Sequence, residues 1–256
     1  MPIEVIEDKK IYYSLNFQSP SRKNLLFIHG ASSDSRVFLN VVENLSKKFN
    51  IVIIDLSGHG QSEGEGYRNV VDHAFICGEL LKRLDLGEWS LLGHSLGGAI
   101  GMAMGVYMPK LVESLILVST GARLRVPESF LSAIEKGSNN AQLNKEFLLN
   151  SIYDTSNRHL LDYLLTIMND VDPVVVYKDW LAADSFDFTR RLKGLDFRAL
   201  ILCGDKDLLT PVKYHEFLND EISSSQLAVI SDCGHWPFVE KEPQFTEKIN
   251  NFFSNF

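Results

Sequence analysis

Cysteine is scarce in this sequence and nothing pairs it. Cys77, Cys203 and Cys233 are the three in 256 residues. An odd, widely spaced set without a Cys-x-x-Cys pair builds neither a disulfide framework nor a zinc site. No His/Asp/Glu cluster has metal-ligand spacing and no Gly-rich dinucleotide fingerprint is present, so no metal and no cofactor are expected. Positive charge is in deficit: 25 Lys+Arg face 33 Asp+Glu, a net charge of -8. That balance disfavours nucleic acid, whose phosphates need clustered cations. The one short basic cluster, Arg190-Arg191-Leu192-Lys193, reads as a solvated face. No apolar run approaches the roughly 18 residues of a membrane span. Acidic residues stand near the N-terminus, where a signal peptide starts basic. A cytoplasmic protein with no membrane partner is expected.

What is present is an ordinary globular balance, 45% hydrophobic and 23% charged, long enough for one large domain or two small ones. Six short, nearly all-apolar runs stand out: Leu25-Leu26-Phe27-Ile28, Ile51-Val52-Ile53-Ile54, Ser90-Leu91-Leu92, Leu115-Ile116-Leu117-Val118, Ala199-Leu200-Ile201-Leu202 and Leu227-Ala228-Val229-Ile230. Runs apolar on both faces fit strands of a parallel sheet covered by helices. Between them, residues 70–84 place Val70, Ala74, Cys77, Leu80, Leu81 and Leu84 on one stripe, which predicts a helix. Residues 244–253 repeat the pattern, with Pro243 suited to the first turn. Ile3 to Val5 and Ile11 to Tyr13 suggest a hairpin edging the sheet. Alternation of strand and helix predicts an α/β fold with right-handed crossovers.

Residues 123–189 break that rhythm. Their one strand-like run is Val174-Val175-Val176; the rest is helical pieces, the loop-like Gly137-Ser138-Asn139-Asn140, and Asp172-Pro173. The stretch reads as a helical cap inserted between two strands. The core is then residues 1–122 and 190–256.

Chemistry concentrates after the runs. Gly93-His94-Ser95-Leu96-Gly97 follows one strand and precedes a helix expected near Gly98. That is the strand–turn–helix context of a Gly-x-Ser-x-Gly nucleophile elbow. Its helix N-terminus offers unsatisfied N–H groups to an oxyanion.

With these residues the sequence resembles the α/β-hydrolase family over nearly its whole length. His29-Gly30-Ala31-Ser32 is similar to the family's His-Gly oxyanion turn. Asp55-Leu56-Ser57-Gly58-His59-Gly60-Gln61-Ser62 is similar to its Asp-x-x-Gly-His-Gly-x-Ser loop. Gly204-Asp205-Lys206-Asp207 with Thr210-Pro211 resembles the acid loop, and Gly234-His235-Trp236-Pro237 with Glu240 and Pro243 the histidine loop. The resemblance implies an α/β-hydrolase fold: a mostly parallel sheet, helices on both faces and an inserted cap.

Roles then follow from chemistry. A serine hydroxyl is a weak nucleophile until a base takes its proton, and His235 is the base on offer to Ser95. A carboxylate must hold the imidazole's tautomer. The family pattern selects Asp207, with Asp205 the rival and Asp232 a remote one. The backbone N–H groups of Ala31 and Leu96 are expected to form the oxyanion hole. Ser32, Ser33 and Ser35 read as a solvated turn, while His29 and His59 are expected to tie loops to the sheet. His73, His159 and His215 read as surface or packing residues, and Cys233 as a buried hydrophobe.

His94, Arg123, Trp180 and Trp236 are candidate substrate-binding residues. Arg123 or Arg125 could clamp a carboxylate, against the alternative of an ion pair between cap and core. Cap aromatics would make the pocket over Ser95 largely apolar. The expected activity is serine hydrolysis of a small-molecule carboxylic ester, thioester or lactone through an acyl-enzyme. A small-ligand sensor with little turnover, and a C–C bond hydrolase or non-hydrolytic lyase using the same triad, stay open, as does monomer or homodimer.

Overall fold

The computed structural model describes residues 2–136 and 140–254. Eight strands form one sheet: β1 (Ile3–Ile6), β2 (Lys9–Asn16), β3 (Asn24–Ile28), β4 (Asn50–Ile54), β5 (Trp89–His94), β6 (Val112–Val118), β7 (Arg198–Gly204) and β8 (Ser225–Ile230). Their order in space is β1-β2-β4-β3-β5-β6-β7-β8. Each of the six apolar runs falls within a strand. The N-terminal hairpin also forms: Glu7 and Asp8 take φ of 49° and 59°. Two left-handed residues give the tight turn whose twist matches antiparallel strands. The β1–β2 and β2–β4 pairings are antiparallel, and every pairing from β4 to β8 is parallel.

Ten helices accompany the sheet among the described residues: α1 (Leu39–Leu45), α2 (Val70–Leu84), α3 (Leu96–Tyr107), α4 (Glu128–Glu135), α5 (Asn140–Ser151), α6 (Arg158–Asp170), α7 (Pro173–Ser185), α8 (Val212–Glu221), α9 (Pro237–Glu240) and α10 (Glu242–Ser254). Successive strand residues point to opposite faces, so Leu26 and Ile28 join one core with α2 and α3, whereas Leu25 and Phe27 join a second with α1 and α10. Both faces are covered along β3 to β7, which is why those strands read as unbroken apolar runs; β8, at the edge, leaves Val229 exposed. In α2 the Asn69 side chain accepts from Asp72 N–H, and left-handed Asp85 ends the helix. None of the described helices is long and apolar enough to cross a membrane.

Four helices, α4 to α7, lie between β6 and β7. An isolated bridge, Arg123 to Asp187, draws together the ends of this segment. Val174-Val175-Val176 is helical rather than extended. Asp172 caps α7 by accepting from Val174 N–H at 2.7 Å, and Pro173 occupies the first turn. Val175 and Val176 then bury against Ile134 and Val171. Capping and packing have outweighed the β preference of three valines. Residues 137–139 of the expected loop lie outside the described residues, and Asn140 begins α5.

Candidate active site

The catalytic candidates from the sequence all sit just past the carboxyl ends of parallel strands, the edge where open α/β sheets bind ligands. Ser95 stands between β5 and α3 with φ 52° and ψ -115°. A serine in so sparsely populated a conformation costs about 1–3 kcal/mol and persists only where its surroundings enforce it. They do so here: Ser95 N–H donates to Val118 O at 2.9 Å, and Thr120 Oγ1–H to Ser95 O at 2.8 Å. The flanking glycines are required by contact, since a Cβ on Gly93 would lie 2.2 Å from Gly97 O, and one on Gly97 2.2 Å from Ile28 O. α3 starts at Leu96, two residues before the expected position.

Past β7 and β8 the acid and histidine loops meet. Asp207 Oδ2 accepts from His235 Nδ1 at 2.8 Å. Leu209 N–H and Thr210 N–H both donate to Asp207 Oδ1 at 2.9 Å, and the Thr210 hydroxyl donates to Oδ2 at 2.7 Å. Burial alone would raise this carboxyl's pKa. The His235 ring and the donors from His235 and Thr210 outweigh it and hold the pKa at about 2. Because Asp207 can only accept, His235 carries its proton on Nδ1 and leaves Nε2 free as a base. Asp205 is engaged elsewhere, with Lys206 Nζ at 2.8 Å and Cys233 N–H at 3.3 Å. Asp232 is exposed.

Glu240, which the sequence places in the histidine loop without a role, is that loop's anchor. Glu240 accepts from Gly234 N–H and Trp236 N–H at 3.1 Å and from Tyr153 N–H at 2.9 Å. A carboxylate six residues past a glycine gives no periodic signal. Ser151 of α5 is an anchor with no sequence signal: its carbonyl accepts from His235 N–H at 2.7 Å and its hydroxyl from Trp236 Nε1–H at 2.9 Å.

The turn after β3 is buried, contrary to the solvated reading: Ser32 and Ser33 are fully inaccessible. Gly30 O accepts from Ser33 Oγ at 3.0 Å and from His29 Nδ1 at 2.9 Å. His29 Nε2 in turn accepts from Leu56 N–H at 3.0 Å, which makes His29 a neutral tie between loops. Among the described residues, neither Ala31 N–H nor Leu96 N–H is taken by a hydrogen bond.

Ser95 and His235 both line a cavity of about 310 Å³. Its other walls are Leu124, Val126, Pro127, Phe130, Phe147, Trp180, Ala183, Leu209 and Tyr214, with Arg125, Glu146, Asn150 and Thr210 as polar members. Among the described residues the Ser95 hydroxyl forms no hydrogen bond with His235, a looseness common where no substrate is bound.

Of the substrate-binding candidates, Trp180 lines this cavity and three others do not. His94 and Trp236 are each about 1% exposed and lie behind it. The His94 ring sits 4.9 Å from His235 and 4.8 Å from Trp236, and His94 Nε2–H donates to His235 O at 3.0 Å. They back the base instead of walling the pocket. Arg123 faces a separate depression and pairs with Asp187 at 3.4 Å, while Arg125 reaches both places and pairs with Asp184. Both ion pairs stay within residues 123–189, so neither links that segment to the rest. His73 and His215 are buried packing residues and His159 is exposed. Cys233 is buried, and burial pushes its thiol well up.

This arrangement accords with the comparisons to known proteins. A family model described as alpha/beta hydrolase fold matches residues 23–242. The chain belongs to the α/β-hydrolase fold family. It is 28% identical to the uncharacterized protein Rv2715 of Mycobacterium tuberculosis, over 89% of this chain and 74% of that one. It is 25% identical to the pimeloyl-[acyl-carrier protein] methyl ester esterase of Neisseria meningitidis, covering 90% and 92% of the two chains. Among solved structures, the enol-lactonase of Burkholderia xenovorans superimposes with a TM-score of 0.92 at 20% identity, over 99% of this chain and 100% of that one. Family and fold together support a hydrolase acting on a small molecule.

Proposed function

We propose that the protein is a serine hydrolase that cleaves a small, largely apolar carboxylic ester, lactone or thioester through an acyl-enzyme. The observation that carries this reading is the buried Asp207–His235 pair, its free Nε2 sharing a cavity with a serine held at a strained turn. Ser95 Oγ attacks the carbonyl carbon while His235 Nε2 takes its proton. Asp207 keeps the imidazole in the Nδ1–H tautomer and stabilises it once charged. The Ala31 and Leu96 N–H groups receive the oxyanion. His235 returns the proton to the leaving alkoxide or thiolate; water, deprotonated by the same nitrogen, then releases the acid and restores Ser95.

Residues 123–189 act as a cap. Their hinges lie beside the carboxyl edge of the sheet, so α4, α5 and α7 reach over Ser95. The apolar walls, Phe130, Phe147 and Trp180 among them, favour an uncharged acyl or alcohol group.

A panel of 4-nitrophenyl esters of increasing acyl length, with lactones and thioesters, tests the reading. Turnover of short and medium esters, falling about 10⁶-fold in Ser95→Ala, is expected. Ligand binding without turnover, equal in the parent and Ser95→Ala, would instead mark a sensor.

A further inference from the structure

We propose that Asp179 of α7 is a positioning residue that fixes the oxyanion turn, so that the cap takes part in transition-state stabilisation and not only in substrate choice. This rests on the reading of Ala31 N–H as an oxyanion donor.

Asp179 is fully buried, on a helix of the cap, yet its bonds go to the core. Asp179 Oδ2 accepts from Ser32 N–H at 2.9 Å and from His59 Nε2–H at 2.8 Å. The next residue, Trp180, donates its indole N–H to Ser32 Oγ at 3.1 Å. Two successive side chains of α7 thus grip the N–H and the hydroxyl oxygen of one residue, Ser32, which sits at φ 55°. That left-handed conformation is uphill for a serine and needs such restraint.

The consequence falls on Ala31. Its N–H belongs to the peptide after Gly30, and that plane is pinned through Gly30 O by His29 and Ser33. The following peptide, between Ala31 and Ser32, is pinned through Ser32 N–H by Asp179. Ala31 is held on both sides, once by the core and once by the cap. Releasing the second hold frees Ser32 to leave its left-handed well; Ser33, the next residue, then loses its bond to Gly30 O, and the Ala31 N–H turns away from the oxyanion.

His59 completes the latch. Its Nδ1 faces Ser57 O at 3.2 Å while Nε2 faces Asp179, so both nitrogens point at acceptors, an arrangement that favours the charged ring. Burial opposes that charge, and Asp179 overrides it. A desolvated pair of this kind adds little net stability; its effect is on geometry.

The test compares Asp179→Ala, Asp179→Asn and Ser32→Ala with the parent on 4-nitrophenyl butyrate. Every kcat is normalised to sites titrated by a fluorophosphonate, and a trifluoromethyl ketone serves as tetrahedral analogue. The asparagine oxygen can still accept from both Ser32 N–H and the Nε2–H of a neutral His59. Expected for Asp179→Ala is kcat per titrated site about 10²-fold lower, KM within threefold, and a parallel loss of ketone affinity. Asp179→Asn should recover most of both. Should Asp179→Ala not fold, Ser32→Ala decides through its lost Trp180 bond, with kcat about fivefold lower and KM unmoved. The proposal is overturned if kcat per titrated site stays within twofold of the parent, or if KM and kcat worsen together while ketone affinity holds. If the parent itself takes up no fluorophosphonate, the serine-hydrolase reading fails instead.

Discussion

The loops beyond the strands and the cap above them hold their functional groups by different means. In the core, position follows from the chain path. Ser95, Asp207 and His235 each lie within a few residues of a parallel strand end, and Ser95 is fixed largely by hydrogen bonds to its own backbone. In the cap, most side chains meet the site as apolar wall. Yet the cap also reaches down at two places, Ser151 on the histidine loop and Asp179 with Trp180 on the oxyanion turn. A simple division, chemistry in the core and choice in the cap, is therefore too clean. In the proposed reading, lifting residues 123–189 would slacken both of the loops assigned to the chemistry.

The comparison breaks most sharply at the acid. Asp207→Asn should lower kcat about 10⁴-fold, because the amide favours the wrong imidazole tautomer. Asp205→Asn should leave kcat within a fewfold. Steady-state kinetics on one short ester checks both, and a reversed order would move the acid to Asp205.

A second effect belongs to the core alone. Burial holds His29, His73 and His215 at pKa values of about 4. Their unfolded value is near 6.5, so the stability they contribute is complete above that pH and is lost as pH falls toward 4. Each such proton costs about 1.4 kcal/mol per pH unit. Urea midpoints should fall steeply from pH 6.5 to 4.5, and more gently in His73→Leu. A flat profile would contradict the neutral, buried state of these rings.

Smaller effects separate the cap's two tasks. Phe130 lines the cavity 5.1 Å from the Trp180 ring, with no hydrogen bond to the oxyanion turn. Phe130→Ala should re-rank the ester panel by about 10–200-fold in relative kcat/KM and spare the smallest activated ester. Trp180→Ala should re-rank it and also slow the smallest ester, because Ser32 loses its partner. Smallest is Arg123→Ala, expected within twofold on every substrate, carboxylated ones included, since Arg123 faces away from Ser95.

The sheet was legible because burial on both faces writes an unbroken apolar run, and the elbow because Gly93 and Gly97 are sterically obligatory. The acid candidate Asp207 was selected by the family pattern, which places the acid third after the glycine, here Gly204. The cap latch was not. Asp179 lies 147 positions from Ser32, and a charged residue in an amphipathic helix normally reads as solvent-facing. Val174 to Val176 misled for a related reason: local β preference yields to the Asp172 N-cap and a buried face. His94 and Trp236 sit beside the candidate catalytic positions in sequence but are buried and packed against each other.

The central claim is that Ser95 carries the acyl group. Mixing the protein with excess 4-nitrophenyl butyrate and quenching within the first turnover should give a butyryl mass increment on the peptide containing Ser95. A 4-nitrophenolate burst stoichiometric with titrated sites should accompany it wherever deacylation is the slower step. The increment should be absent in Ser95→Ala and persist longer in His235→Ala once formed. Turnover with no increment on Ser95 under any quench, or an increment on another residue that disappears with activity, would contradict the account.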